Sequence, residues 1–157
     1  MSVLKSQRKE SQFEVFAHAY RMRRVITELM FRDFGYKPTK MPNESEEQKL
    51  RRETVEKFFI VKIREYTLDT LRSIVREITT ANKIFPTIPR EAEERRIHQD
   101  LAICECFNLL QELQYAVQAL SVDVNKFTRF DELIQRQIML IKAWRKADNR
   151  TKKQGNI

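Results

Sequence analysis

Apolar residues recur at steps of three and four in four separate stretches of the chain, the spacing that keeps side chains on one face of an α-helix. The clearest run is Phe127, Phe130, Ile134, Ile138, Ile141 and Trp144. A second comprises Phe59, Ile63, Thr67, Leu71, Ile74, Ile78 and Ala81, with Glu65, Asp69, Arg72, Arg76 and Lys83 on the opposite side. A third is Ile103, Phe107, Leu110, Leu113, Val117 and Leu120. The earliest, Phe16, Ala19, Met22, Ile26 and Leu29, leaves Glu14, His18, Arg21, Glu28 and Arg32 for the outer face.

Local signals set the expected ends of these helices. Ser11 and Glu14 have the spacing of a capping box, so the first helix is expected to open at Ser11, and Gly35 to supply the left-handed residue that closes it. Residues 36–43, with Pro38 and Pro42, read as a loop. Ser45 and Gln48 offer a second capping box. The strongly charged stretch 44–56 is compatible with either a separate short helix or an extension of the second. Pro86 and Pro89 bracket a tight connection, and Pro89 suits the first turn of a third helix, where Glu91, Glu93 and Glu94 face the positive end of its dipole. Residues 121–125 turn the chain into a fourth helix over 126–147.

With two glycines and four prolines in 157 residues, there is almost no turn chemistry for strands. The expectation is therefore an all-α protein, an up-and-down four-helix bundle over 11–147 with a mobile basic arm (1–10) and a basic tail (148–157). In that topology both termini emerge at one pole, beside the connection at 85–96.

The net charge of +8 is unevenly placed. Residues 86–123 sum to −4 and 124–157 to +6, and the last sixteen residues alone carry +5, from Lys142, Arg145, Lys146, Arg150, Lys152 and Lys153 against Asp148. Cations there can offset a helix dipole and aid solubility, or can meet a polyanion by displacing its condensed counterions. The acids of the third helix can neutralise part of this pole, or meet the tail of a neighbouring subunit. Arg21, Arg23 and Arg24 point in different directions and are either solvated, with partners such as Glu28, or an extension of a phosphate-binding surface. Trp144 fits best as an apolar anchor at a helix end.

No run approaches the ~20 apolar residues of a membrane span, and the N-terminus has no signal-peptide core, so a cytoplasmic protein is expected. Cys104 and Cys106 have no second pair to form a zinc site; Cys104 is read as packed, while the pattern does not place Cys106. Asp33-Phe34-Gly35 echoes a kinase metal-binding motif by coincidence, since no glycine-rich or catalytic loop accompanies it. His18 and His98 have no catalytic setting, and the Glu-x-x-His pairs of di-iron bundles are absent. No metal or cofactor is expected, and an active site assembled from scattered residues is the enzymatic alternative.

A basic four-helix protein with Lys5-Ser6-Gln7-Arg8, Phe13-Glu14-Val15-Phe16, Arg32-Asp33-Phe34-Gly35 and Ala143-Trp144-Arg145-Lys146 resembles the bacterial four-helix-bundle family. That family includes proteins encoded in 23S ribosomal RNA intervening sequences and the accessory variability determinants of diversity-generating retroelements. The connection at 36–52 is longer than in the compact bundles of the family. The resemblance implies a noncatalytic homo-oligomer, a pentameric ring in the determinant branch, that binds structured template RNA or an RNA/DNA hybrid and docks a reverse transcriptase for complementary-DNA synthesis and mutagenic retrohoming. Lys142, Arg145, Lys146, Arg150, Lys152 and Lys153 would then contact phosphates, with Arg21, Arg23 and Arg24 as further candidates. Alternatively, the resemblance implies an RNA- or protein-binding factor of the intervening-sequence type, without a polymerase.

Overall fold

The computed structural model describes the backbone of residues 2–38, 41–120 and 122–154, and the side chains of 14–32, 34–38, 41–120 and 122–150. Four α-helices follow one another, α1 (Ser2–Phe31), α2 (Glu46–Lys83), α3 (Pro89–Ala119) and α4 (Val124–Gln154), with a single 3-10 turn at Asp33–Gly35 and no strand among the described residues. Each helix packs on its neighbours in a ring: α1 on α2, α2 on α3, α3 on α4 and α4 back on α1. The expected four-helix bundle is what forms.

The core follows from the stripes. Phe130, Ile134, Ile138, Ile141 and Trp144 of α4 are all buried, with Phe127 packed at their edge. On α2, Ile63, Thr67, Leu71, Ile74, Ile78 and Ala81 are buried as expected, and Ile60 takes the position next to half-buried Phe59. Thr67 satisfies its hydroxyl by donating to the carbonyl of Ile63 (2.7 Å), which lets a polar residue sit in the stripe.

Several boundaries differ from those expected. α1 begins at Ser2, so Ser11 lies inside a helix and does not cap it; nothing in 2–10 is a proline or glycine that would stop the helix. The Ser11 side chain itself lies outside the described residues. α4 likewise continues through the tail to Gln154. Of the two alternatives for 44–56, the extension is the one that forms from Glu46 onward: α2 is one helix of 38 residues, about 57 Å long. Its start is the capping box read from the sequence, with Gln48 N–H donating to Ser45 Oγ (3.2 Å) and Ser45 N–H donating to Gln48 Oε1 (3.1 Å). Arg52 grips Glu44 through two hydrogen bonds (2.9 and 3.0 Å), tying the preceding loop to the second turn. Because Phe59 already meets Tyr115 near the end of α3 (ring centroids 6.0 Å apart), the first turns of α2 overhang the bundle, and Leu50, Val55 and Phe58 stay exposed.

The apolar face of α3 also corrects the sequence reading. Phe107 is exposed and Cys106 is fully buried in its place, while Cys104, expected to pack, faces solvent. Ile103, Leu110, Leu113 and Leu120 are buried as expected, and the buried face widens on one side to take in Ala92, Arg95, Gln99, Ala102, Cys106, Leu109 and Ala116, leaving Phe107 outside it. Burial pushes the Cys106 thiol up to about 12.

Gly35 ends the first helical segment, as expected, with φ +71°. Its N–H donates to the carbonyl of Arg32 (2.9 Å). Phe34 is also left-handed (φ 55°), which turns its ring into the core. The Asp-Phe-Gly triplet is thus a helix stop.

Candidate nucleic-acid interface

The cations singled out from the sequence separate into three groups. Lys142, Lys146 and Arg150 stand exposed on α4. Lys142 lies over the face of Phe107 (5.7 Å to the ring centroid), which gives that exposed aromatic partial cover. Arg145 turns toward α3 and is half-buried in an ion pair with Asp100, a residue that Arg96 also approaches (3.9 Å). The side chains of Lys152 and Lys153 lie outside the described residues.

On α1 the three arginines diverge, since neighbours on a helix are about 100° apart and residues two positions apart about 200°. Arg23 is half-buried, Arg24 is exposed and lies 4.0 Å from Glu28, and Arg21 faces α4. There Arg21 meets two arginines that the sequence reading passed over. Arg129 and Arg136, seven residues apart and so on one side of α4, line with it a groove of about 520 Å³ between α1 and α4. Their seven-residue spacing was the signal available in the sequence. Glu14 and Glu132 complete the charged rim, leaving a formal +1 from three arginines and two glutamates. Arg136 donates to Glu14 at 2.7 Å, a pair exposed to solvent.

His18 lines this groove, although the sequence pattern put it on the outer face. It is only 7% exposed. The buried Gln137, also unforeseen, fixes its chemistry. The amide nitrogen of Gln137 donates to the carbonyl of Val15 (3.3 Å), so its Oε1 faces His18 Nδ1 at 2.6 Å and acts as acceptor. The proton therefore sits on Nδ1. Burial lowers the His18 pKa below its ordinary value; the bond to Gln137 opposes this, the Arg136 and Arg21 charges reinforce it, and Glu14 opposes it weakly. The neutral ring presents Nε2 as a bare acceptor, and that atom is buried without a hydrogen-bond partner.

At the pole holding the end of α4, the one acid of the tail is turned inward. Asp148 accepts two hydrogen bonds from Arg95 and a third from Gln99 (2.9 Å). Over residues 129–150, about 32 Å of helix, the exposed charges of α4 are thus Arg129, Arg136, Lys142, Lys146 and Arg150 against Glu132. They are spread around the outer face, Arg129 and Arg136 on the side toward α1 and Lys142 on the side toward α3, and contacts from either group to phosphates would not read bases.

Among the described residues, no group of three His, Cys, Asp or Glu side chains comes together to hold a metal ion, and no helix is long and apolar enough to cross a membrane. His98 instead pairs with Glu77 (2.6 Å). No protein-family model, curated protein or solved structure matches the chain.

Proposed function

We propose that the chain is a noncatalytic nucleic-acid-binding accessory protein of a diversity-generating retroelement. In this reading it works in the cytoplasm as a homo-oligomer, a pentameric ring, and docks a reverse transcriptase onto structured template RNA or an RNA/DNA hybrid for complementary-DNA synthesis and mutagenic retrohoming. The observation that supports it is the set of exposed cations on the outer face of α4, while Asp148, the acid of the tail, is paired with Arg95. Lys142, Lys146 and Arg150 make phosphate contacts, and Arg21, Arg129 and Arg136 extend the track toward α1. Arg145 joins only by exchanging Asp100 for phosphate. The resemblance of the sequence to the four-helix-bundle family supplies the polymerase and the ring.

The test joins light scattering to RNA binding over a salt series. Each phosphate that the protein no longer neutralises should reduce the slope of log affinity against log salt by roughly 0.7 to 0.9, so replacing Lys142, Lys146 and Arg150 together by Gln should reduce it by about 2 to 3. An unchanged slope removes α4 from the interface, and a monomer indifferent to RNA overturns the whole reading. A defined oligomer that binds RNA but never retains a reverse transcriptase would favour the intervening-sequence type of factor.

A further inference from the structure

The apolar face of α2 changes sides where the helix leaves the bundle. Its inward stripe stops at Ile60, and the positions that continue it toward the start of the helix, Glu56, Glu53, Arg52 and Lys49, are charged. Arg52 holds Glu44 and Glu56 there, which ties that side of the overhang to the loop before it. Leu50, Phe58 and Val61 lie on the other side, linked through Thr54 at steps of four, four and three, and all four residues are exposed. Thr54 stands midway between Leu50 and Phe58. Toward the ends of the same face, seven residues before Thr54 and eight after it, are Glu47 and Lys62. Arg51 leans on Glu47 (3.8 Å), and Lys62 lies over the Phe58 ring (5.6 Å to the centroid) while reaching Glu65 (3.1 Å).

A face that is apolar about one central residue and opposite in charge at its two ends complements itself when turned end for end. We infer that two copies of the chain pair by laying these outer faces antiparallel, with Thr54 against Thr54 on the two-fold axis, Leu50 of each on Phe58 of the other, and Glu47 of each on Lys62 of the other. Parallel pairing would set Glu47 against Glu47 and Lys62 against Lys62. The overhang makes the antiparallel arrangement accessible, because the two bundles then lie on opposite sides of the axis. Glu47 and Lys62 give up only contacts between solvent-exposed partners, which cost little to exchange. The paired segment, residues 46–62, is about 26 Å of helix from each copy, short for a specific interface, so association in the micromolar range is expected. The inference goes beyond the reading above: it uses no cation of α4, and in a ring such pairs would join one ring to a second.

The experiment follows disulfide cross-linking of the full chain at micromolar concentration under mild oxidation, with Thr54→Cys in a Cys104→Ser background. Helices packed about 8 to 10 Å apart bring the two positions on the axis within disulfide reach, so a covalent dimer should form faster than from Asn108→Cys, an exposed position on α3, in the same background. Adding Glu47→Lys or Lys62→Glu should slow the reaction roughly tenfold, because two symmetry-related ion pairs become repulsive at once. The chain carrying both reversals restores opposite charges and should recover the original rate. A rate no greater than that of Asn108→Cys, indifference to the single reversals, or no recovery in the double variant overturns the pairing. None of these outcomes bears on RNA binding by α4, which stands or falls on its own salt slope.

Discussion

Arg95 of α3 and Asp148 of α4, fifty-three positions apart, meet through two hydrogen bonds, Nε to Oδ2 at 2.7 Å and Nη2 to Oδ1 at 3.2 Å. The arginine is 4% exposed. Its remaining nitrogen donates to the carbonyls of Ile84 (3.0 Å) and Ala81 (3.4 Å) at the end of α2, the second of which also accepts from the Ile84 N–H (3.3 Å). Its Cζ lies over the Trp144 ring, 4.9 Å from the ring centroid. One side chain thus joins α2, α3 and α4 at the pole from which the basic end of α4 departs.

Breaking that joint should be costly. Arg95→Met leaves Asp148 with Gln99 as its remaining donor and takes the arginine from the carbonyl of Ile84, and removing one partner of a buried pair typically destabilises by about 3 to 5 kcal/mol. Asp148 keeps a quarter of its side chain in water, so the lower figure is expected. Urea unfolding of Arg95→Met, Asp148→Asn and the double variant would measure it, with the double variant less destabilised than the two singles combined. Additive losses would mean that the two side chains act independently.

Arg95 also shows where sequence reading of α3 failed. It continues the three-four spacing of Gln99, Ala102 and Cys106, but a charged residue in that series looks like solvent-facing chemistry, and the larger apolar Phe107 draws the stripe to its own side. Only the partners supplied by α2 and α4 make an arginine and a glutamine tolerable inside. The stripe of α4 was legible at Phe130, Ile134, Ile138, Ile141 and Trp144, all apolar and all buried. The groove of His18 was legible only in part: Arg21 stood out in a cluster, whereas Arg129 and Arg136 are isolated in the chain and become neighbours of Arg21 only when α1 lies beside α4. Gln137 was invisible for the reason that hid Gln99.

Gly35 should resist substitution. Its φ of +71° belongs to the left-handed region, and a Cβ there would come within 2.6 Å of Lys126 Nζ. The lysine is flexible and can move, so backbone strain sets the cost, about 1 kcal/mol for Gly35→Ala. Gly35→Asn, which tolerates this conformation better, should lose less. Thermal unfolding of the two variants gives the order, and equal melting temperatures would place the strain elsewhere.

The two thiols should differ in reactivity. Cys104 is exposed on α3 and Cys106 is fully buried, its pKa pushed up to about 12, so little thiolate forms at neutral pH. Alkylation of the native protein followed by mass spectrometry should label Cys104 first and Cys106 only as the bundle opens. Comparable rates at both positions under native conditions would contradict the inward packing of Cys106 on α3.

His18 gives the bundle a defined acid sensitivity. Its pKa is lowered in the folded state, by burial first and then by the charges of Arg136 and Arg21 acting against the Gln137 bond and Glu14. Between the folded and the unfolded pKa, near 6.5, the unfolded chain binds a proton that the folded chain refuses, so unfolding gains ground as pH falls. The His18 contribution is therefore constant above about pH 7 and is progressively lost below the unfolded value, until the folded ring itself protonates. His18→Asn removes this dependence while keeping a donor toward Gln137. Denaturant melts of wild type and His18→Asn from pH 7.5 to pH 5 should diverge in slope, the wild type losing stability faster on acidification. Parallel curves would mean that the ring accepts a proton as readily in the bundle as in the unfolded chain, contrary to its burial between α1 and α4.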